Sequence, residues 1–191
     1  MGKIPSREEA LDLLKRYNDS DALVKHGMAV ESVMRYCAQK HGEDVEKWGV
    51  VGLLHDLDYE KYPEQHCIKV QEILKDAGID GEIIRAVASH GYGICCDIAP
   101  MSLMEKTLYT VDELTGLVNA TALMRPNKSV MDLEVKSLKK KFKSKSFAAG
   151  VDREIIKKGC EMLGTDLNEV MEDTILGMRT AAEALGLAGE V

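Results

Sequence analysis

Apolar residues recur every three or four positions along most of the chain, the mark of helices with one buried face. Ser6 and Glu9 have capping-box spacing, and Leu11, Leu13 and Leu14 follow, so a first helix is predicted there. From Ser20 to about Lys40, Leu23, Val24, Met28, Val33, Met34 and Cys37 mark a second, with Gly42 as its stop. Val45 to Leu57 is almost continuously apolar (Trp48, Val50, Val51, Leu53, Leu54) and is predicted as the central, most buried helix. Pro63 suits the first turn of a helix running through Val70, Ile73 and Leu74 to Gly78. A shorter helix takes Glu82 to about His90, and Gly91, Gly93 and the Cys95-Cys96 pair then read as a loop. Ser102 with Glu105 is a second capping box, opening a helix that continues to about Met124, where Pro126 stops it. Ser129 to about Phe142 is amphipathic and basic, and Asp152–Leu163 and Asp166–Leu185 complete the helices. The expected fold class is therefore all-α. The expected organisation is a single domain over residues 1–191, with a compact core at about 20–125 and a C-terminal helical extension at about 126–191. The weakest continuity is predicted at Lys143–Gly150.

Composition agrees with this picture. A chain of 191 residues that is 45% hydrophobic and 30% charged can bury a core without staples. Four Pro, ten Met and 5% aromatics argue against an all-β domain and against disorder. The formal charge is −7, but it is uneven: Arg125 to Lys145 carries +6, leaving −13 for the rest. That basic segment reads as a solvated helix face or as an electrostatic guide for an anionic ligand. An acidic chain is poorly suited to phosphate backbones, so nucleic acid is not an expected partner. The five Cys include no CxxC pair and are expected to be reduced thiols. The opening MGKIPSREEALDLL lacks an apolar signal segment, and no run approaches the ~18 apolar residues of a membrane span. The expectation is a soluble, cytoplasmic protein with no membrane partner; the apolar faces of the last two helices are expected to cover the core, with a homodimer contact as the alternative.

The candidate chemistry centres on histidine and aspartate. His55-Asp56 ends the most apolar stretch, GVVGLLHDLDY. A carboxylate there must be paired or bound to a cation, because burying it alone costs several kcal/mol. An imidazole nitrogen and a carboxylate oxygen presented side by side form a cation clamp. His26 lies in LVKHGMAVESVM, where Gly27 permits close approach of a neighbouring helix. Asp112 lies in the apolar stripe of LYTVDELTGLV and also needs a positive partner. Taken singly, each of these reads equally as a satisfied core residue. His41, in the last turn of a helix, reads as structural. Cys95 and Cys96 are too close in sequence to form a zinc pair and read as loop thiols.

The pattern H…HD…D, carried by His26, His55-Asp56 and Asp112, resembles the HD-domain superfamily of metal-dependent phosphohydrolases over roughly residues 20–125. The resemblance implies a helical bundle with one divalent metal held by those four residues. The segment HCIKVQEILKDAGIDGEIIRAVASHG is similar to the stretch that two-metal members place between the HD dipeptide and the last Asp. It adds His66 and His90, and implies a six-ligand set in which Asp56 bridges two metals, as in the HD-GYP cyclic-dinucleotide phosphodiesterases and the bacterial dinucleoside-tetraphosphate hydrolases. The chain departs from those branches: it has GYG at Gly91–Gly93 and no GYP loop, and Asp58 stands where a Lys often follows the HD dipeptide.

Such a ligand set suits one or two divalent transition metals (Fe, Mn, Co, Ni or Zn) better than Ca. His55 and Asp56 are the expected catalytic centre, and the expected reaction is hydrolysis of a small nucleotide or other phosphate ester by metal-activated water. Lys69, Arg125 and Lys128 are the candidate phosphate contacts, Lys69 because it follows His66 by one helical turn. Two other functions share the pattern. Some HD-fold proteins use four His and two Asp to hold a di-iron centre that activates oxygen, and others bind nucleotides without catalysis. Iron content with a mixed-valent EPR signal marks the oxygenase; tight nucleotide binding without product marks the binding module.

Overall fold

Seven of the helices begin where a side chain supplies an acceptor for their orphan N–H groups. The computed structural model describes residues 2–189. The expected capping boxes form at helix α1 (Arg7–Tyr17), between Ser6 and Glu9, and at α6 (Leu103–Leu123), between Ser102 and Glu105. Ser20 caps α2 (Asp21–His41), which ends on Gly42 in the left-handed conformation, φ 69°. Asp44, Asp80, Asp152 and Asp166 cap α3 (Val45–Leu54), α5 (Gly81–Ser89), α8 (Arg153–Leu163) and α9 (Leu167–Arg179). The remaining helices are α4 (Lys69–Asp76), α7 (Val135–Lys143) and α10 (Ala182–Leu185). The described residues form no extended strand, only isolated bridges such as Lys3 with Ile79. The fold is the all-α bundle that the periodicity predicts.

The core grows outward from α3, which is buried from Trp48 to Leu54 and lies against α2. Small residues let the two backbones approach. A Cβ on Gly52 would stand 3.0 Å from the Glu31 backbone, and one on Gly27 would stand 3.0 Å from the Leu53 carbonyl oxygen. Glu31, buried on α2, is neutralised by Arg7 of α1 at 2.7 Å and by Arg35 at 2.9 Å. A buried carboxylate requires such partners. The C-terminal helices cover this core: α8 packs on α6, and α9 packs on α2. Ile156, Val170, Met171, Ile175 and Met178 become buried there. Lys40 ties α2 to α9 through Glu169 and Asp173, each at 2.8 Å.

Four boundaries differ from the periodicity. The central helix stops at Leu54, and residues 55–62 run on as tight turns, with Leu57 N–H bonded to Leu54 O and Tyr59 N–H to Asp56 O. The helix expected from Pro63 is only a 3-10 turn, Pro63–Gln65, because Cys67 adopts φ 65° and breaks it; α4 starts at Lys69. The basic helix begins at Val135, since Ser129 and Val130 instead bond to Ala188 and Leu187. The last helix is interrupted at Thr180–Ala181. Among the described residues, no helix is long and apolar enough to cross a membrane.

Gly177 is the tightest point of the α9–α2 seam: a Cβ there would stand 2.6 Å from Val33 Cα. Gly177→Ala is expected to destabilise the protein by about 1–3 kcal/mol through overpacking. A shift of the urea midpoint to lower concentration would report it, and an unchanged midpoint would mean that α9 does not seat on α2 in this way.

Candidate metal centre

Five segments converge on one point. His26 comes from the second turn of α2, His55 and Asp56 from the end of α3, His66 from the turn before α4, His90 from the end of α5, and Asp112 from the middle of α6. Asp56 stands at the centre. Its Oδ2 lies 3.2 Å from His55 Nε2 and 3.7 Å from His26 Nε2, while its Oδ1 lies 3.4 Å from both His66 Nε2 and His90 Nε2. Asp112 Oδ1 closes the first group, 2.9 Å from His26 Nε2 and 3.3 Å from His55 Nε2. The geometry thus brings together all six residues of the H…HD…H…H…D pattern and divides them about the two oxygens of Asp56.

Three of the rings are oriented from behind. His55 Nδ1 donates to Gly52 O at 2.7 Å, and His90 Nδ1 donates to Val87 O at 2.6 Å. His66 Nδ1 donates to Asp58 Oδ1 at 2.7 Å. Because each acceptor takes the Nδ1 proton, the neutral rings present Nε2 lone pairs to the site. The Nε2 atoms of His66 and His90 then face each other at 3.2 Å. His55 Nε2 is fully buried, and neither of its carboxylate neighbours is aligned to bond it. Such a convergence of electron pairs calls for a proton or a cation between them.

The charges respond accordingly. Burial opposes a charge on His55, but the fields of Asp56 and Asp112 overcome it and hold the pKa well above the usual imidazole value. Burial likewise works against ionised Asp56 and Asp112, yet the charge of His55 holds both below the usual carboxylate range. Without metal, the raised affinity of His55 and His90 for a proton offsets these carboxylates. A divalent ion would displace such protons, so the donor set fits a transition metal of nitrogen and oxygen preference.

The family model described as HD domain matches residues 23–116. That stretch belongs to the HD-domain family. The match contains all six converging residues and ends four residues beyond Asp112. Among curated proteins, a tRNA (cytidine(56)-2'-O)-methyltransferase of Thermoplasma volcanium is 32% identical over 93 residues, covering 48% of this chain and 28% of that protein. The protein of the same name from Picrophilus torridus is 30% identical over 161 residues, covering 74% of this chain and 47% of that protein. The chain spans less than half the length of either relative. No solved structure matches the chain significantly.

Five of the six residues, all but the fully buried His55, border a cavity of about 420 Å3, whose walls also include Leu23, Tyr59, Ile94, Tyr109, Glu113 and Val151. This volume is in the range of small-molecule sites. The three cations expected to contact phosphate stand elsewhere. Cys67 breaks the helix between His66 and Lys69, so the one-turn spacing does not put them on one face, and Lys69 pairs with Glu72. Arg125 is engaged by Asp132, and Lys128 sits in the turn after α6 with φ 48°. None of the three lines the cavity.

The sequence reading passed over Asp58 and Glu113. Asp58 is fully buried; besides His66, its Oδ2 accepts the Val70 N–H at 2.8 Å. The argument applied to Asp56, that a buried carboxylate needs a partner, would have found it two residues later. Glu113 lines the cavity beside Asp112 and accepts the Asp152 N–H at 2.9 Å. Burial chiefly, with Asp112 adding to it, pushes its carboxyl up to about 7.

Two outcomes follow from these groups. Asp58→Asn is expected to weaken metal binding at the His66–His90 end by roughly 10–100-fold, as loss of a ligand-orienting carboxylate does. Competition with a chelating dye measures this, and unchanged affinity would remove His66 from the ligand set. Glu113 binds its proton more tightly folded than unfolded, so the metal-free protein should lose stability as pH rises from the ordinary 4.5 to about 7. Glu113→Gln should flatten that decline in urea titrations across the window; a persisting slope would assign the decline to another group.

Proposed function

We propose that the chain is a metal-dependent phosphohydrolase acting on a small nucleotide or other phosphate ester, with two divalent transition metals at one centre. The observation that carries the reading is the division of Asp56, one oxygen turned to His26 and His55, the other to His66 and His90. His26, His55, Asp112 and Asp56 Oδ2 would hold one ion, and His66, His90 and Asp56 Oδ1 the second. When bound, such ions supply Lewis acidity that makes water a nucleophile near neutral pH and offsets phosphate charge.

The chain's own groups prepare the site for that chemistry. Gly52 O, Val87 O and Asp58 fix three rings with their Nε2 atoms inward, which removes reorganisation from the binding step. Among the described residues that line the cavity, there is no Lys or Arg. The walls carry the carboxylates of Asp56, Asp112 and Glu113, which protonated imidazoles only offset in the metal-free protein, so an anionic ester would meet no net attraction there. Substrate binding should therefore depend on metal as strictly as turnover does. Tyr59 and Tyr109 offer aromatic surface and hydroxyl groups to an organic moiety. The names of the curated relatives, which concern a tRNA nucleotide, support a nucleotide-derived ester over other phosphate esters. Their methyl-transfer activity is a property of longer proteins and is not assigned to this chain.

The test is a panel of phosphomonoesters, phosphodiesters and nucleotides offered to the full chain loaded with Mn or Fe. Phosphate or nucleotide release that stops on chelation is expected, with two metal ions per chain. His55→Ala and Asp56→Ala should lose bound metal and at least on the order of 100-fold in rate, since even ligand-orienting groups cost that much. Retained stoichiometric metal in both variants would remove the basis of the proposal. Oxygen consumption with a mixed-valent EPR signal and no hydrolysis would replace it with the oxygenase, and tight nucleotide binding without product would replace it with a binding module.

A further inference from the structure

Beside the His66–His90 end of the centre lie two thiols outside the six-residue pattern, one of which, Cys67, has its sulfur within 4.8 Å of ring nitrogens of both imidazoles. Cys67 Sγ and Cys95 Sγ are 2.8 Å apart, although 28 residues separate them in the chain. The surrounding backbone is shaped around this contact. Cys67 adopts the left-handed conformation, φ 65°, which is uncommon for a side chain of its kind. Gly91 leaves the space that both sulfurs occupy: a Cβ there would stand 2.2 Å from Cys95 Sγ and 2.4 Å from Cys67 Sγ. The loop carrying Cys95 is held by Gly91 O, which accepts from the N–H groups of Ile94, Cys95 and Cys96 at 3.0, 3.0 and 3.2 Å. The neighbouring Cys96 is turned away, its thiol donating to Ala88 O at 3.0 Å. Cys67 is fully buried, whereas Cys95 is half-buried and forms part of the cavity wall.

We propose that Cys67 and Cys95 form a thiol–disulfide exchange site on the wall of the metal cavity, with a low-molecular-weight disulfide as its reactant. The small disulfide enters the cavity, where only Cys95 is reachable. The Cys95 sulfur, its proton removed, attacks one sulfur of the reagent; a Cys95–reagent mixed disulfide forms, and one small thiol leaves with the proton. Cys67 then attacks the Cys95 sulfur in the same way. The Cys67–Cys95 bond forms, and the second small thiol leaves. Two protein thiols are oxidised, and one reagent disulfide is reduced to two thiols. The sulfurs need only close from 2.8 Å to about 2.05 Å. Because Cys67 follows His66 and the Cys95 loop follows His90, the bond would tie together the two segments that carry those imidazoles.

The experiment exposes the folded, full-length chain to oxidised glutathione, then denatures, alkylates and digests it with trypsin for mass spectrometry. Peptides 62–69 and 86–106 should appear joined, and alkylatable cysteines should fall from five to three. Reduction should restore all five. Cys96→Ser should keep the joined product, and Cys95→Ser should abolish it. Cys67→Ser should stop at a stable glutathione adduct on Cys95. The wild-type result alone overturns the proposal if the two peptides stay separate under oxidation. A joined product that disappears in Cys96→Ser and survives in Cys95→Ser also overturns it.

Discussion

Everything in this molecule that concerns chemistry depends on keeping electron pairs of like kind close together. Asp56 faces four imidazole nitrogens, and two of those nitrogens are 3.2 Å from each other. Such groups repel unless a proton or a cation stands between them, and no local hydrogen bond of the six residues could hold them there. The apolar core does so. Because α3 is buried on every side, its end cannot swing, and His55 and Asp56 are delivered to a fixed point. The α2 and α6 helices bring His26 from the second turn and Asp112 from the middle, both within continuous helix.

Helix termination and ligand orientation are served by the same bonds. The last carbonyls of an α-helix have no N–H partner within the helix. His55 follows α3 and His90 follows α5 as their C-terminal caps, and each ring donates Nδ1–H to a carbonyl three residues back. The bond satisfies a carbonyl of the last turn and aims Nε2 inward. His66 lies in a turn whose carbonyl three residues back, Pro63 O, takes the His66 backbone N–H, and its ring donates instead to a buried carboxylate, Asp58. The Asp that replaces a Lys often found at this place is thus explained by what it touches, and its second oxygen anchors the start of α4 through Val70.

Charge is distributed with similar economy. The cavity walls hold carboxylates and imidazoles. The basic segment contributes Lys139, Lys143 and Lys145 to a separate groove, which shares only Val151 with the cavity. Any anion drawn to the cavity itself must be attracted by what the six ligands hold. Metal content is therefore the variable on which substrate binding and turnover would both turn.

Much of this was legible in the chain. Periodicity and capping boxes located the helices, since 3.6-residue repeats and Ser–Glu pairs act locally. The residues themselves singled out His55-Asp56, His26 and Asp112, and the resemblance added His66 and His90. Other features depended on contacts between distant segments. Lys69 stands away from the cavity because φ at Cys67 reverses a helix that spacing alone continues. Arg125 meets Asp132, which lies across a turn from it. Glu113 and Asp152, 39 residues apart, share a hydrogen bond that no local pattern contains. The sequence by itself determined which residues are helical, which are buried and which can donate electron pairs, because those properties belong to side chains and their near neighbours. The tertiary structure alone decided how the six donors divide about Asp56 and that two sulfurs 28 residues apart should touch. Such distances are set by how helices pack, and packing is a property of the whole chain.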